Sequence, residues 1–172
     1  MKKPFAALFA ALLAAALVVG VAAIAVGAAR RSSGSVRRET IDRVDFTVEN
    51  IEQTFSLADG GAFSADILFT AKKTEADFYA MINDIAVTGA GIEKTDILPA
   101  DDGGAVRSAI GAVLPAENGE PLEVKWIVRV TFAPDGAGEY PATLSVDYTS
   151  GVKLAASDRH IYTVPLRFTV TE

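Results

Sequence analysis

The sequence predicts an all-β fold, an antiparallel β-sandwich preceded by one N-terminal transmembrane helix. Three observations carry this. From Ile41 onward apolar residues alternate with period two, glycine-bearing turn pairs punctuate the alternation, and residues 4–29 contain no charged side chain. The first two describe half-buried strands joined by tight turns, and the third describes a segment suited to lipid.

The N-terminal element comes first. Its 26 uncharged residues lie between Lys2-Lys3 and Arg30-Arg31. As a helix they reach roughly 39 Å, more than the ~30 Å apolar core of a bilayer. A helix apolar on every face must be fully buried, and a chain this small has little with which to surround it. The expected order is therefore a short cytoplasmic end at 1–3, a signal-anchor helix at 4–29 and a basic Ser/Gly linker at 30–40. An extracytoplasmic domain follows at 41–172. The alternative is a cleaved secretory signal, with Ala23-Ile24-Ala25 or Val26-Gly27-Ala28-Ala29 as the small-residue site. Ala16, Gly20, Ala23 and Gly27 line one stripe of the helix, the pattern of a weak helix-mediated homodimer. Twelve of the 26 residues are alanine, so small residues line almost any face.

The strands follow in order. Val44, Phe46 and Val48 alternate with Asp45, Thr47 and Glu49. Strands are expected at 63–72, through Ile67, Phe69 and Ala71, and at 78–88, where the register changes between Ile82 and Ile85. Val124, Trp126, Val128, Val130 and Phe132 share one face, as do Leu144, Val146 and Tyr148. Tyr162, Val164, Leu166, Phe168 and Val170 form the last inward set. Asp59-Gly60, Asp102-Gly103, Asn118-Gly119 and Asp135-Gly136 supply the positive φ angles that tight turns need. Pro165 implies an edge or a bulge, because proline cannot donate to a ladder. Only Asp101–Val113 has room for a helix, and its glycines make it a poor one. The long stretch 89–121 reads as the variable surface, with Ile92, Ile97-Leu98 and Val113-Leu114 as strands hidden in it. Six or seven strands without a long helix amount to a sandwich of immunoglobulin-like type.

The run from Trp126 to Val146 resembles the strand E–turn–strand F hairpin of bacterial immunoglobulin-like domains. It contains Phe132-Ala133-Pro134, Gly138-Glu139-Tyr140 and Leu144-Ser145-Val146. The resemblance covers about 25 residues and implies architecture without a function. It implies that Tyr140 is a corner residue, its ring in the core and its hydroxyl bonded to nearby backbone. The Cys…Trp…Cys framework of antibody domains is missing. Val164–Phe168 also resembles the C-terminal strand of desiccation-associated β-sandwich domains.

Charge divides the chain. Residues 1–38 hold six basic groups and no acid, while 39–172 hold ten Lys/Arg against 22 Asp/Glu, a net of −12. That balance excludes nucleic acid as a partner, since phosphates must be neutralised by basic groups. The four arginines at 30, 31, 37 and 38 read as a stop-transfer signal and flexible linker, the alternative being a patch that attracts phospholipid head groups. There is no cysteine, which removes disulfides, thiolate catalysis and Cys-ligated zinc. A bacterial source fits an exported domain of this kind.

No residue qualifies as catalytic, cofactor-binding or metal-ligating. His160 is the sole histidine and reads as a solvated loop residue, since zinc wants several nitrogen or sulfur ligands. Asp101-Asp102, Asp135 with Glu139, and Glu117-Asn118 are acidic turns without the spacing of a calcium loop. Trp126 reads as core packing rather than a sugar platform. The expectation is a non-catalytic binding or structural domain outside the cytoplasmic membrane. Its partners are the bilayer, through residues 4–29, and a protein or other component of the cell envelope. The rival is a secreted accessory or ligand-carrying protein.

Overall fold

A strand that alternates apolar and polar residues buries one face, and two sheets built from such strands bury their faces against each other. A computed structural model describes residues 27–28, 31–32, 34–60, 62–74, 79–100, 112–114, 116–117, 120–121, 123–151 and 158–172. The strands are β1 (Gly27–Ala28), β2 (Arg31–Ser32), β3 (Val36–Ile41), β4 (Val44–Glu49) and β5 (Glu52–Ser56). A 3-10 turn at Leu57–Asp59 leads to β6 (Phe63–Lys73), β7 (Tyr79–Gly89), β8 (Ile92–Pro99) and β9 (Ala112–Leu114). The last are β10 (Ala116–Glu117), β11 (Glu120–Pro121), β12 (Glu123–Phe132), β13 (Gly138–Gly151) and β14 (Arg159–Thr171).

One sheet runs β3-β4-β6-β12-β8, with β1 beside the start of β6. The other runs β2-β5-β14-β13-β7-β9, and β10 and β11 form a separate ribbon. Pairing is antiparallel except for β1 with β6 and β5 with β14. The first strand of the core switches sheets. β4 pairs with β6, then Asn50 takes a positive φ of 63° and β5 joins β14 in the other sheet. Buried Gln53 secures the switch by donating to the carbonyls of Asn50 (3.0 Å) and Asp66 (3.2 Å). In immunoglobulin notation the sheets are A-B-E-D and A′-G-F-C, with β3 added at one edge.

The inward sets anticipated from periodicity are buried, Val124 only in part. Phe46 stacks on Tyr162 at 4.7 Å, and Phe69 on Trp126 at 5.8 Å. Phe55, Phe63, Phe132 and Phe168 form a second aromatic group, with Phe132 on Phe168 at 5.1 Å. The register change in β7 is a bulge at Asn83, because Ile82 pairs with Tyr148 and Asp84 with Asp147. Pro165 lies within β14, but pairing with β5 begins only at Arg167. Arg167 donates its N–H to Ile51 on that side, so the donor missing at Pro165 faces an uncovered edge.

Several expectations are corrected. Phe132 and Tyr140 do not flank a hairpin: β12 and β13 belong to different sheets, and the turn between them crosses the core. The stretch 30–40 is not a free linker, since it carries β2 and most of β3. Strand pairing starts at Gly27, so neither Gly27 nor Ala28 is helical and the small-residue stripe loses its last member. Ala112 and Val113 are in β9, while 101–111 lie outside the described residues, as do 1–26. Among the described residues there is no α-helix, and no helix long and apolar enough to cross a membrane.

The ends of the sandwich differ. The upper end gathers the Leu57–Asp59 turn, Gly89–Gly91, the turn after Phe132 and the C-terminus. The lower end gathers the β3–β4 turn, Thr74, Ala100, Gly151 and Asp158.

Candidate functional site

A half-exposed cluster of polar side chains meets at the lower end. β3 and β4 are joined by two residues, Asp42 and Arg43, with φ of 46° and 65°. Positive φ at both central positions is the type I′ hairpin turn, whose twist matches that of the strands. Asparagine and glycine adopt it readily, whereas arginine does so at a steric cost. Neighbouring elements hold the turn in place. Thr74 donates its N–H (3.0 Å) and its hydroxyl (3.1 Å) to the Arg43 carbonyl. Ser150 donates its hydroxyl to the Asp42 carbonyl at 3.1 Å.

The Asp42 carboxylate is the hub. Its Oδ2 accepts from Tyr148 Oη at 3.1 Å and lies 3.2 Å from His160 Nδ1. The imidazole stacks on the Tyr148 ring with centroids 5.4 Å apart. Tyr148 is 1% exposed, and its phenol is pushed well above the usual tyrosine range by burial first and Asp42 second. His160 is thus not a solvated loop residue: it is an inward position of β14, half-buried against Tyr148. The side chains of Asp42 and His160 keep about two-fifths of their surface in water, so a carboxylate and an imidazole are both presented at this end. Ser150 is already engaged with backbone. Among the described residues no three His, Asp or Glu side chains are grouped to hold a metal ion.

The other candidates are separate from this cluster. Trp126 is buried and has no access as a sugar platform. Tyr140 Oη donates to the Gly136 carbonyl at 2.8 Å and accepts from its N–H at 3.0 Å, the corner that the resemblance implied. Asp135 and Glu139 stand exposed on the upper end, while Asp101, Asp102 and Asn118 lie outside the described residues. On the outer face of the second sheet, Arg159 Nε donates to Asp147 at 2.8 Å and the Asn83 amide donates to the same carboxylate at 2.9 Å. Arg159 is the main reason the Asp147 carboxyl sits below the usual range. On the outer face of the first sheet, Arg129 grips Asp66 with two bonds, at 2.7 and 2.8 Å.

Sheet order and corner tyrosine together define an immunoglobulin-like β-sandwich. No family model matches the chain, and no curated protein matches it. Among solved structures the chain is similar to the ASH / PapD-like domain of human CEP192 (PapD-like domain 7). The two share 15% identity over 79% of this chain and 90% of that one, with a TM-score of 0.37. A likeness at that score carries no argument about function.

Proposed function

We propose that this chain is a single-pass membrane protein that holds one immunoglobulin-like sandwich outside the cytoplasmic membrane as a binding or structural domain. One observation carries the reading: an uncharged run at 4–29 stands between basic pairs, its first 23 residues ahead of the strands that build the core. In this reading the domain that follows the span is the exported part. The net charge of −12 over residues 39–172 keeps that domain from lying flat on anionic lipid.

The experiment is fractionation with intact-mass measurement. The expected result is full-length chain in the membrane fraction, resistant to alkaline extraction and accessible to protease from outside. A shortened chain in the medium would overturn the anchor. It would establish the second reading, a secreted accessory or ligand-carrying protein. One observation favours that rival: cleavage after Ala25 would leave a chain whose first strand begins at Gly27.

A further inference from the structure

We infer that, in the anchored protein, the upper end of the sandwich abuts phospholipid head groups while the lower end, with Asp42, Tyr148 and His160, is presented away from the bilayer. The inference rests on the anchor proposed above and follows from the path of the chain. Gly27 pairs with Phe63 and Ala28 with Ser64, running parallel to β6 from its upper end. Arg31 and Ser32 then pair with Thr54 and Gln53. The Ser35 carbonyl accepts the N–H of Asn50 and its hydroxyl accepts the N–H of Glu52. From Val36 to Ile41 every residue pairs with β4. The described residues between Gly27 and Ile41 thus descend the wall of the sandwich, tied by these pairings, and little chain is left for a stalk between domain and anchor.

Residues 4–26 remain for the membrane. These 23 residues reach about 34 Å as a helix, still enough for the apolar core. The span therefore ends one residue from β1, at the upper end. The 11 residues of β6, at 3.2–3.4 Å each, place the lower end about 35 Å farther out. Asp59, Asp135, Glu139 and Glu172 surround the upper end, so contact there is imposed by the covalent tether rather than by attraction. The lower end faces outward, and the connections from Thr74 to Tyr79, Ala100 to Glu123 and Gly151 to Asp158 all leave from and return to it. Loops on a rigid scaffold are where recognition concentrates.

The absence of cysteine makes the test direct. Single cysteines are placed at the upper end (Leu57→Cys, Gly136→Cys) and toward the lower end (Tyr79→Cys, Ile161→Cys). Leu57, Tyr79 and Ile161 are exposed, and a Cβ at Gly136 meets nothing within 4 Å. Each full-length variant carries a fluorophore and is reconstituted in phosphatidylcholine vesicles containing head-group nitroxide lipid. Expected is strong quenching at 57 and 136 and little at 79 and 161. Equal quenching at all four positions, in protein that floats with the vesicles, overturns the inference and leaves the anchor standing. Protein that does not float with the vesicles overturns both.

Discussion

Asp42 shows how one residue can be set by three neighbours, Tyr148 and His160 at its carboxylate and Ser150 at its carbonyl. Its left-handed backbone costs free energy, which the bonds from Tyr148 and Ser150 and the contact with His160 offset. Asp42→Ala removes the acceptor of a buried phenol, and an unsatisfied buried donor costs about 1–3 kcal/mol. Asp42→Asn keeps a side chain suited to this backbone and one acceptor oxygen, so urea unfolding is expected to rank wild type above Asn and Asn above Ala. The same phenol sets an alkaline limit. An unfolded tyrosine loses its proton near about pH 10, while folded Tyr148 holds it to higher pH because burial disfavours phenolate. This contribution is therefore complete below about pH 10 and is lost as pH rises further, by at most about 1.4 kcal/mol per unit. Tyr162 is raised by burial in the same direction. Unfolding midpoints followed from about pH 8 to 11 are expected to fall above 10, less steeply in Tyr148→Phe. Asp147 works with the opposite sign: its carboxyl is depressed, so its contribution holds above the ordinary carboxylate value and is lost as pH falls through the folded one.

At the scale of elements, the wall formed by β1, β2 and β3 is the feature periodicity did not reveal. Val36-Arg37-Arg38-Glu39-Thr40-Ile41 shows no apolar alternation, because an edge strand with a solvated outer side has little to bury. The turn after it lacks the Asn-Gly or Asp-Gly pair that marks a hairpin. The lower-end site was illegible for the same reason: Asp42 belongs to a turn without a sequence signature, and only β13 and β14 bring Tyr148 and His160 to it. Removing residues 1–41 would take away β3 and leave Asp42 without its strand. Such a chain is expected to be less stable than residues 27–172 by about 2 kcal/mol or more in urea unfolding. Equal midpoints would show that the wall adds nothing to the fold. At the opposite end, Tyr140→Phe loses the corner bonds to Gly136. A cost of about 1 kcal/mol is expected, with the urea m-value unchanged.

For the whole molecule, the core ties both sheets together through pairs such as Phe46 with Tyr162 and Phe132 with Phe168, while the Trp126 indole lies flat against Phe69 of its own sheet. Trp126→Ala is expected to cost about 3–5 kcal/mol, as large-to-small core changes do. The native domain should emit as a water-excluded indole, and emission of a solvated indole would place this face of β12 outside. Residues 27–172 should unfold in one cooperative transition with a β-type circular dichroism spectrum, read out by thermal melting.

What the sequence determined by itself was local: which segments are strands, which face of each turns inward, and where glycine or proline must interrupt. Those features depend on two-residue periodicity and on the φ preferences of single residues, which neighbours in the chain already express. Tyr140 was legible because its partner Gly136 is four residues away. Tertiary structure alone decided which sheet each strand joins, so that β12 and β13, adjacent in sequence, lie in opposite sheets. It also decided the sheet switch at Asn50 and the meeting of Asp42 with Tyr148 and His160, more than a hundred residues apart. Such choices depend on burying two faces against each other at once, an energy shared among distant residues that no short stretch of sequence carries.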